Sequence, residues 1–475
     1  MKISRIEVPG YVMRICRRLT DAGYQAVVVG GAVCDSLNGR VPHDWDLATS
    51  ATPKEVRQVF VGDVRSNNGE DRGTVLVLSD GVPVEVTTFR LDVETDGRNA
   101  AVRFTQDLLE DLVRRDLTVN AMAYDPITGE LFGPGPNGDP SGALEDLRNK
   151  CARFVGDGLA RIIEDRLRVK RAIRRAISLE GYLHPTAVYA IDQALEMGLL
   201  PGPLSAERVR DELLKLLSLP GADKGLRMWK RFGLLKMFLP ELAALDGLKQ
   251  NMHHVDDALE HTLKATANVR PAHAPYPGLS GDLITHLDLS PEKAACAALR
   301  FALLLHDTGK LATADLREGY GNTFLGHEVV SSEIAAKVCA RLKMDSDLTA
   351  LIVSGAKSHM HIPGEDGQPK TIRRWARGVG DYAGFALDVR AADRASVGIE
   401  HARAALADNA YVDSILNETP VEVRLPVDGN DIMRVLGLKP GPRVGEVMRQ
   451  LFQIADDRHG MTRDDLLLYL DEMAV

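Results

Sequence analysis

The stretch Gln25-Ala-Val-Val-Val-Gly30-Gly31 constrains the fold of this chain more than any other. A short β-branched run closed by two glycines is the pattern of a buried strand that ends in a turn and opens a helix. An amphipathic helix is predicted before it over 11–23, with Val12, Ile15, Cys16 and Leu19 on one face. Further on, Thr74-Val-Leu-Val-Leu and Val82-Pro-Val-Glu-Val-Thr-Thr-Phe read as strands, and Asp80-Gly81 between them as a hairpin turn. The strongest loop signal, Gly133-Pro-Gly-Pro-Asn-Gly-Asp-Pro-Ser-Gly142, then closes this first part of the chain.

Beyond it the pattern turns helical. Residues 158–245 read as helix throughout, including Leu159–Leu179, Thr186–Met197 and Ser205–Leu217, the last with Ser205 as N-cap and Glu207 in its first turn. Helical patterns continue over 253–270, 291–314, 327–343 and 384–417, interrupted by loops at 270–281 and 362–370. A segment of different texture starts at 425, and no internal repeat is present. The fold class expected is α+β: an N-terminal head of mixed β-sheet with helices, then a mostly α-helical body. The expected divisions are 1–150, 151–245, 246–415 and 416–475. With 475 residues, 45% hydrophobic and 26% charged, the chain is long enough for two to four domains and too apolar for wholesale disorder.

Five cysteines stand far apart with no CxxC spacing, which argues against a disulfide framework or a zinc knuckle and favours a reducing compartment. The first residues lack an uninterrupted apolar core, and no apolar run approaches the ~20 residues that span a bilayer. A cytoplasmic protein without membrane contact is expected.

Three constellations in the first half carry chemistry. Gly30-Gly31 lets backbone N–H groups approach an anion, although many such turns are only structural. Asp44 and Asp46, two apart on a predicted strand, project together and form a hard oxygen site for Mg²⁺ rather than a solvated turn. Glu85 offers a third carboxylate, facing away from Val84 and Val86. Metals held there activate an attacking hydroxyl and stabilise a departing pyrophosphate.

Arg114-Arg115-Asp116, followed by Asn120, suits a triphosphate and a ribose hydroxyl; spacing alone leaves a helix-start salt bridge equally open. Asp165 and Arg168 share a face if they lie on one helix. A carboxylate that accepts and a guanidinium that donates match the pairing edges of cytosine and adenine and mismatch guanine and uracil. On spacing alone, an ion pair on a wet helix is the simpler reading.

The segments GGAVCD…DWDLATSATPKEV, RRDLTVNAMAYD, EDRLRVKRAIRRA and ERVRDELLKLL occur in this order over roughly the first 245 residues. In this the chain resembles the class II tRNA nucleotidyltransferases, the CCA-adding enzymes, close relatives of bacterial poly(A) polymerases. The resemblance implies that Asp44 and Asp46 hold catalytic Mg²⁺, and that the tRNA 3′-hydroxyl attacks the α-phosphate of CTP or ATP by a two-metal route without a nucleic-acid template. It implies that Arg115, Asp116 and Asn120 bind ribose and triphosphate, that Asp165 and Arg168 select the base, and that Glu207, Arg208 and Glu212 brace the site. Asp96-Gly97-Arg98 resembles part of the flexible loop used in switching to A. Cys34 stands where the family usually has arginine, and Leu117 replaces a common phenylalanine. A poly(A) polymerase is the same-class rival. A hydrolase with a non-catalytic RNA-binding head is the rival from another class.

A second centre follows: His254-x-x-Asp257-x-x-x-His261, Leu305-His306-Asp307-Thr-Gly-Lys310, Gly326-His327, His359 and Ala392-Asp393. Histidine and aspartate at the end of an apolar helix need a cation or several donors, and imidazole with carboxylate suits a divalent metal. The series resembles the HD phosphohydrolase superfamily over about 254–400, so the body includes an all-α HD domain. The resemblance implies metal ligands His261, His306, Asp307 and Asp393. It places His327 and His359, with His361 as a near-equivalent of His359, at a second metal or a phosphate. Phosphodiesterase or phosphatase activity toward 2′,3′-cyclic or terminal phosphates is implied. The tail from Asp431 to Gly445 resembles the C-terminal segment of the same bacterial enzymes, which lies toward the tRNA.

The net charge of −9 is an unusual sum for an RNA-binding protein. Locally it reverses: residues 161–175 hold seven basic and two acidic side chains, a balance of +5. Phosphate affinity follows the local field, so a basic groove is expected there.

Overall fold

The computed structural model describes residues 6–42, 44–65, 72–95, 100–200, 202, 204–250, 255–279, 281–317, 321–360, 367–418, 425–457 and 461–473. His254, His361 and Asp96-Gly97-Arg98, singled out above, lie outside them. The chain divides into two compact units, 1–244 with 283–297 and 337–345, and 245–282 with 298–336 and 346–475.

In the first unit, α1 (Gly10–Asp21) buries Val12, Ile15, Cys16 and Leu19, the face that the periodicity predicts. Nine strands follow: β1 (Ala26–Val29), β2 (Asp46–Thr49), β3 (Val64–Arg65), β4 (Thr74–Ser79), β5 (Val82–Thr88), β6 (Arg90–Thr95), β7 (Ala100–Phe104), β8 (Ala123–Asp125) and β9 (Glu130–Phe132). Seven form one sheet in the order β3-β4-β5-β2-β1-β8-β9. Only β2 and β5 pair in parallel, so the sheet is mixed. β6 and β7 form a separate antiparallel hairpin. All of β1 is buried, and each valine there removes about 1.5–3 kcal/mol worth of apolar surface from water. Asp80 and Gly81 both take positive φ, which the tight hairpin between β4 and β5 requires.

The rest of this unit is mainly helical, apart from a short parallel pair of Cys151–Ala152 with Tyr182–Leu183; its helices include Pro185–Glu196 and Ala206–Leu217, the latter capped by the Ser205 hydroxyl. One expectation fails. Leu159–Leu179 is not one helix: it is split into Gly158–Glu164 and Arg168–Ser178, with Asp165 in extended conformation between them. The Asp165 carboxylate accepts from the Leu167 N–H at 3.0 Å, a local bond that competes with the helix.

In the second unit the long pattern at 384–417 is two helices, Ala383–Val397 and Ile399–Glu418, separated at Gly398 with φ 154°. The pattern at 291–314, which begins in the first unit, likewise divides into Pro291–His306 and Lys310–Thr313. The tail packs its own small core of Val427, Ile432, Val447, Leu451, Leu466 and Leu470. Among the described residues no helix is long and apolar enough to cross a membrane.

His273, on the loop before residue 281, ties that loop down. Its Nδ1 lies 2.7 Å from Asp388 and its Nε2 3.0 Å from Asp413, and its backbone N–H donates to Asp388 at 2.9 Å. Gly384 makes room, since a Cβ there would lie 2.8 Å from the His273 Cβ. The bond to Asp388 pushes the His273 pKa up to about 9; burial opposes the rise, and the charges of Asp388 and Asp413 reinforce it. A raised histidine pKa stabilises fully below the unfolded value near 6.5 and loses that contribution as pH rises through about 9. His273→Gln is therefore expected to cost about 2 kcal/mol at pH 6 and little at pH 10. Denaturant titrations at the two pH values check this; an equal cost at both would show that charge is not involved.

Candidate functional site

The strand-to-helix turn builds the head site. Gly30 has φ 73° and ψ −132°, a backbone conformation that favours glycine, and a Cβ there would approach Arg115 Nη1 at 3.8 Å. The antiparallel register sets Asp46 opposite Val29, one residue before that turn. The parallel register of Leu47 with Val86 brings Glu85 beside Asp46. Glu85 is exposed between buried Val84 and Val86, facing outward as the alternation predicts. Asp44 precedes β2 and is exposed, so the two aspartates do not share one strand. They do share a field. Burial pushes the Asp46 pKa up to about 7, Asp44 and then Glu85 add to the rise, and Arg115 opposes it.

Such crowding of carboxylates fits a divalent cation, which would remove the repulsion between them. Among the described residues, however, the groups whose ligand atoms already lie within 4.8 Å of one another are in the second unit, not here.

Asp46 and Glu85 line a cleft of about 430 Å³ with Gly30, Gly31 and a dense set of arginines. Arg115, Asp116, Asn120 and Arg168 also line it, whereas Asp165 is not part of its wall. Arg114 and Arg115 are both oriented by the buried Asp111, at 2.8 and 2.9 Å. Asp111 went unnoticed in the sequence, although its i,i+3 and i,i+4 spacing to the two arginines was the available signal. Asp116 accepts from the Leu117 N–H at 2.8 Å.

Arg168 is buried and fixed by Glu164 at 2.5 Å and by the carbonyls of Arg161 and Arg114, both at 3.2 Å. Asp165 is held by Arg208 at 2.7 Å. The helix break therefore orients Asp165 and Arg168 separately, not as neighbours on one helical face. Glu212, buried, pairs with Arg174 at 2.8 Å and with Arg171 at 3.6 Å, both of which line the cleft. Glu207 does not join them; its carboxylate pairs with Lys343.

The second unit holds the His–Asp centre. His261 Nε2 lies 2.7 Å from Asp393 Oδ1, and His306 Nε2 lies 3.2 Å from the same oxygen and 3.3 Å from Asp307. His327 Nε2 is 3.2 Å from Asp307 Oδ1 and 3.3 Å from His359 Nε2. Two groups suited to a metal result, His261–His306–Asp307 and Asp307–His327–His359, sharing Asp307. Asp393 stands beside the first.

The outer contacts fix the tautomers. The Nδ1 atoms of His306, His327 and His359 face the carbonyl oxygens of Leu303, Phe324 and Ala356 at 2.6, 2.8 and 2.8 Å. A carbonyl only accepts, so each Nδ1 carries its proton, and a ring that is neutral, as a metal ligand must be, turns an Nε2 lone pair inward. His261 Nδ1 meets the Ser396 hydroxyl at 2.8 Å. Inward lone pairs facing carboxylates, and His327 facing His359, are acceptors set against acceptors. That arrangement fits a cation. Lys310 meets part of the need, with its Nζ 2.6 Å from Asp307 and 2.7 Å from Gln250. Lys310 and Ser396 were not assigned roles from the sequence. A cavity of about 370 Å³ opens on this cluster, lined also by Phe324, Leu325 and Met360.

Known proteins bear on both sites. Residues 26–153 match the family model of the poly A polymerase head domain, 203–245 the probable RNA and SrmB-binding site of polymerase A, and 281–397 the HD domain. The chain is 32% identical over 435 residues, 90% of each protein, to an A-adding tRNA nucleotidyltransferase of Deinococcus radiodurans. It is 37% identical over 255 residues to a CCA-adding enzyme of Lactobacillus johnsonii, covering 53% of this chain and 60% of that one. The CCA-adding enzyme of Bacillus stearothermophilus, solved with CTP, superposes with a TM-score of 0.67 at 25% identity, over 98% of this chain and 96% of that one. A head built on a mixed sheet, an arginine-lined cleft beside its carboxylates and a separate His–Asp cluster agree with these likenesses, and the chain belongs to the tRNA nucleotidyltransferase family of CCA-adding and A-adding enzymes, with an HD domain in its second half.

Proposed function

We propose that the chain adds all or part of the CCA sequence to tRNA 3′ ends from CTP and ATP, at the cleft beside Asp46. The observation that carries this reading is the convergence of Asp46 and Glu85 with Arg115, Asp116, Asn120 and Arg168 in one cleft. Asp44, Asp46 and Glu85 would hold Mg²⁺. When bound, the metal supplies activation of the 3′-hydroxyl and charge neutralisation at the phosphates. Arg115, fixed by Asp111, presents a fork to the triphosphate. Asp116 and Asn120 receive the ribose. Arg168 and Asp165 read the base edge by donating and accepting, and Arg208 positions Asp165. Glu212 braces Arg171 and Arg174. We assign residues 1–150 as head, 151–245 as neck, 246–415 as HD domain and 416–475 as a tRNA-facing tail.

At the second centre His261, His306, Asp307 and Asp393 would hold a divalent metal, with His327 and His359 at a second metal or a phosphate. This suits phosphodiesterase or phosphatase chemistry on RNA ends.

The test is extension of a tRNA that lacks its 3′-CCA, with CTP and ATP supplied separately and together. Incorporation confined to these nucleotides and ending after CCA is the expected result; no incorporation overturns it. A second reading, addition of A alone, is favoured by the A-adding relative that covers 90% of the chain. It requires use of ATP on tRNA ending in CC and no use of CTP. A poly(A) polymerase would instead make long A tails on unstructured RNA.

The base-reading pair gives a separate prediction. Asp165→Ala and Arg208→Ala are expected to raise misincorporation of UTP and GTP about tenfold or more, with smaller effects on CTP affinity. Competition among the four nucleotides measures this. Equal loss for all four would assign Asp165 a structural role.

A further inference from the structure

Arg175 lines the head cleft alongside Gly30, Gly31 and Asp46. Its side chain is only 10% exposed. The Nε and Nη2 atoms are buried and have no hydrogen-bond partner, and the nearest carboxylate, on Asp35, is 4.0 Å from Nη1. Other arginines of the wall are differently placed: Arg114 and Arg115 pair with Asp111, and Arg174 with Glu212. A guanidinium stays charged at any physiological pH, so a buried one with open donors at a cleft wall favours an anion that completes it.

The anion must be one that enters this cleft and leaves again. Arg175 also lies against the buried Cys34 thiol on the helix that follows the glycine turn. The small Cys34 side chain, fully buried, leaves the wall of the cleft to Arg175.

We propose that Arg175 is a binding residue for the polyphosphate of the incoming nucleotide, its open donors presented to the cleft from the helix Arg168–Ser178. It contacts what CTP and ATP have in common, not the base. This rests on the reading of the head as a nucleotidyltransferase.

The experiment compares Arg175→Leu, Arg175→Gln and Arg175→Lys with the parent, using the full chain. In extension assays, KM for CTP and for ATP should rise by the same factor, about 10- to 100-fold, in the Leu and Gln variants, and recover most of that loss in the Lys variant. Relative use of the four nucleotides should not change. Calorimetry with inorganic tripolyphosphate needs no turnover and should show the same loss of affinity. Unchanged tripolyphosphate affinity in folded Arg175→Leu or Arg175→Gln overturns the proposal. So does a KM change that differs between CTP and ATP. If Arg175→Leu does not fold, the Gln and Lys variants carry the comparison. A parent that binds tripolyphosphate through Arg175 yet incorporates no nucleotide would refute the nucleotidyltransferase reading and leave the anion site standing.

Discussion

Asp46→Asn is expected to lower tRNA extension by about 10³-fold or more, equivalent to ~4 kcal/mol of transition-state stabilisation, without weakening the fold. Asn keeps the size of the side chain and its place opposite Val29, so the sheet register has no reason to change. What it removes is a carboxylate that burial, Asp44 and Glu85 all disfavour. Relief of that repulsion should leave the melting temperature equal to the parent's or raise it. The two readouts thus move in opposite directions. Loss of structure would lower both, and a role confined to RNA docking would raise KM for tRNA while sparing kcat. Single-turnover extension with saturating CTP separates these. A variant within tenfold of the parent would remove Asp46 from the chemistry.

The head was legible because its signals are local. The valine run, the paired glycines and Asp80-Gly81 each specify backbone geometry within a few residues. The outward face of Glu85 follows from alternation with Val84 and Val86, and only the parallel pairing of β2 with β5 was needed to bring it to Asp46. The break at Asp165 was not legible. Arg161 to Leu167 contains no glycine or proline, and its apolar spacing is helical. The extended conformation there is fixed by a bond to the Leu167 N–H and by Arg208 from a helix some forty residues later. Tertiary context of this kind overrides propensity. Gly398 was passed over for a related reason: a lone glycine is tolerated inside many helices, and periodicity runs through it. The His–Asp centre was legible as a set of residues but not as a pair of groups sharing Asp307. That sharing depends on how three helices, and the residue just past the end of a fourth, bring side chains from 261, 306, 327 and 359 together.

The second large effect concerns that shared carboxylate. Asp307 belongs to both groups, so Asp307→Ala, alone or with His306→Ala, should remove metal from both at once. Three imidazoles are committed by backbone carbonyls to present lone pairs inward, and this commitment persists when the carboxylate is gone. The variant is left with acceptors facing acceptors and less charge to hold a cation. Elemental analysis should find divalent metal in the parent and background levels in the variant. A ligand present at a hundred times its dissociation constant stabilises the folded state by about 2.7 kcal/mol. Chelation is therefore expected to lower the melting temperature of the parent and to leave that of the variant unchanged. Extension of tRNA, measured after Mg²⁺ is restored, should persist in the variant, because Asp44, Asp46 and Glu85 belong to the other compact unit. Phosphodiesterase activity on a 2′,3′-cyclic phosphate should fall to background. Metal content equal in parent and variant would place the ion elsewhere and remove Asp307 from metal binding.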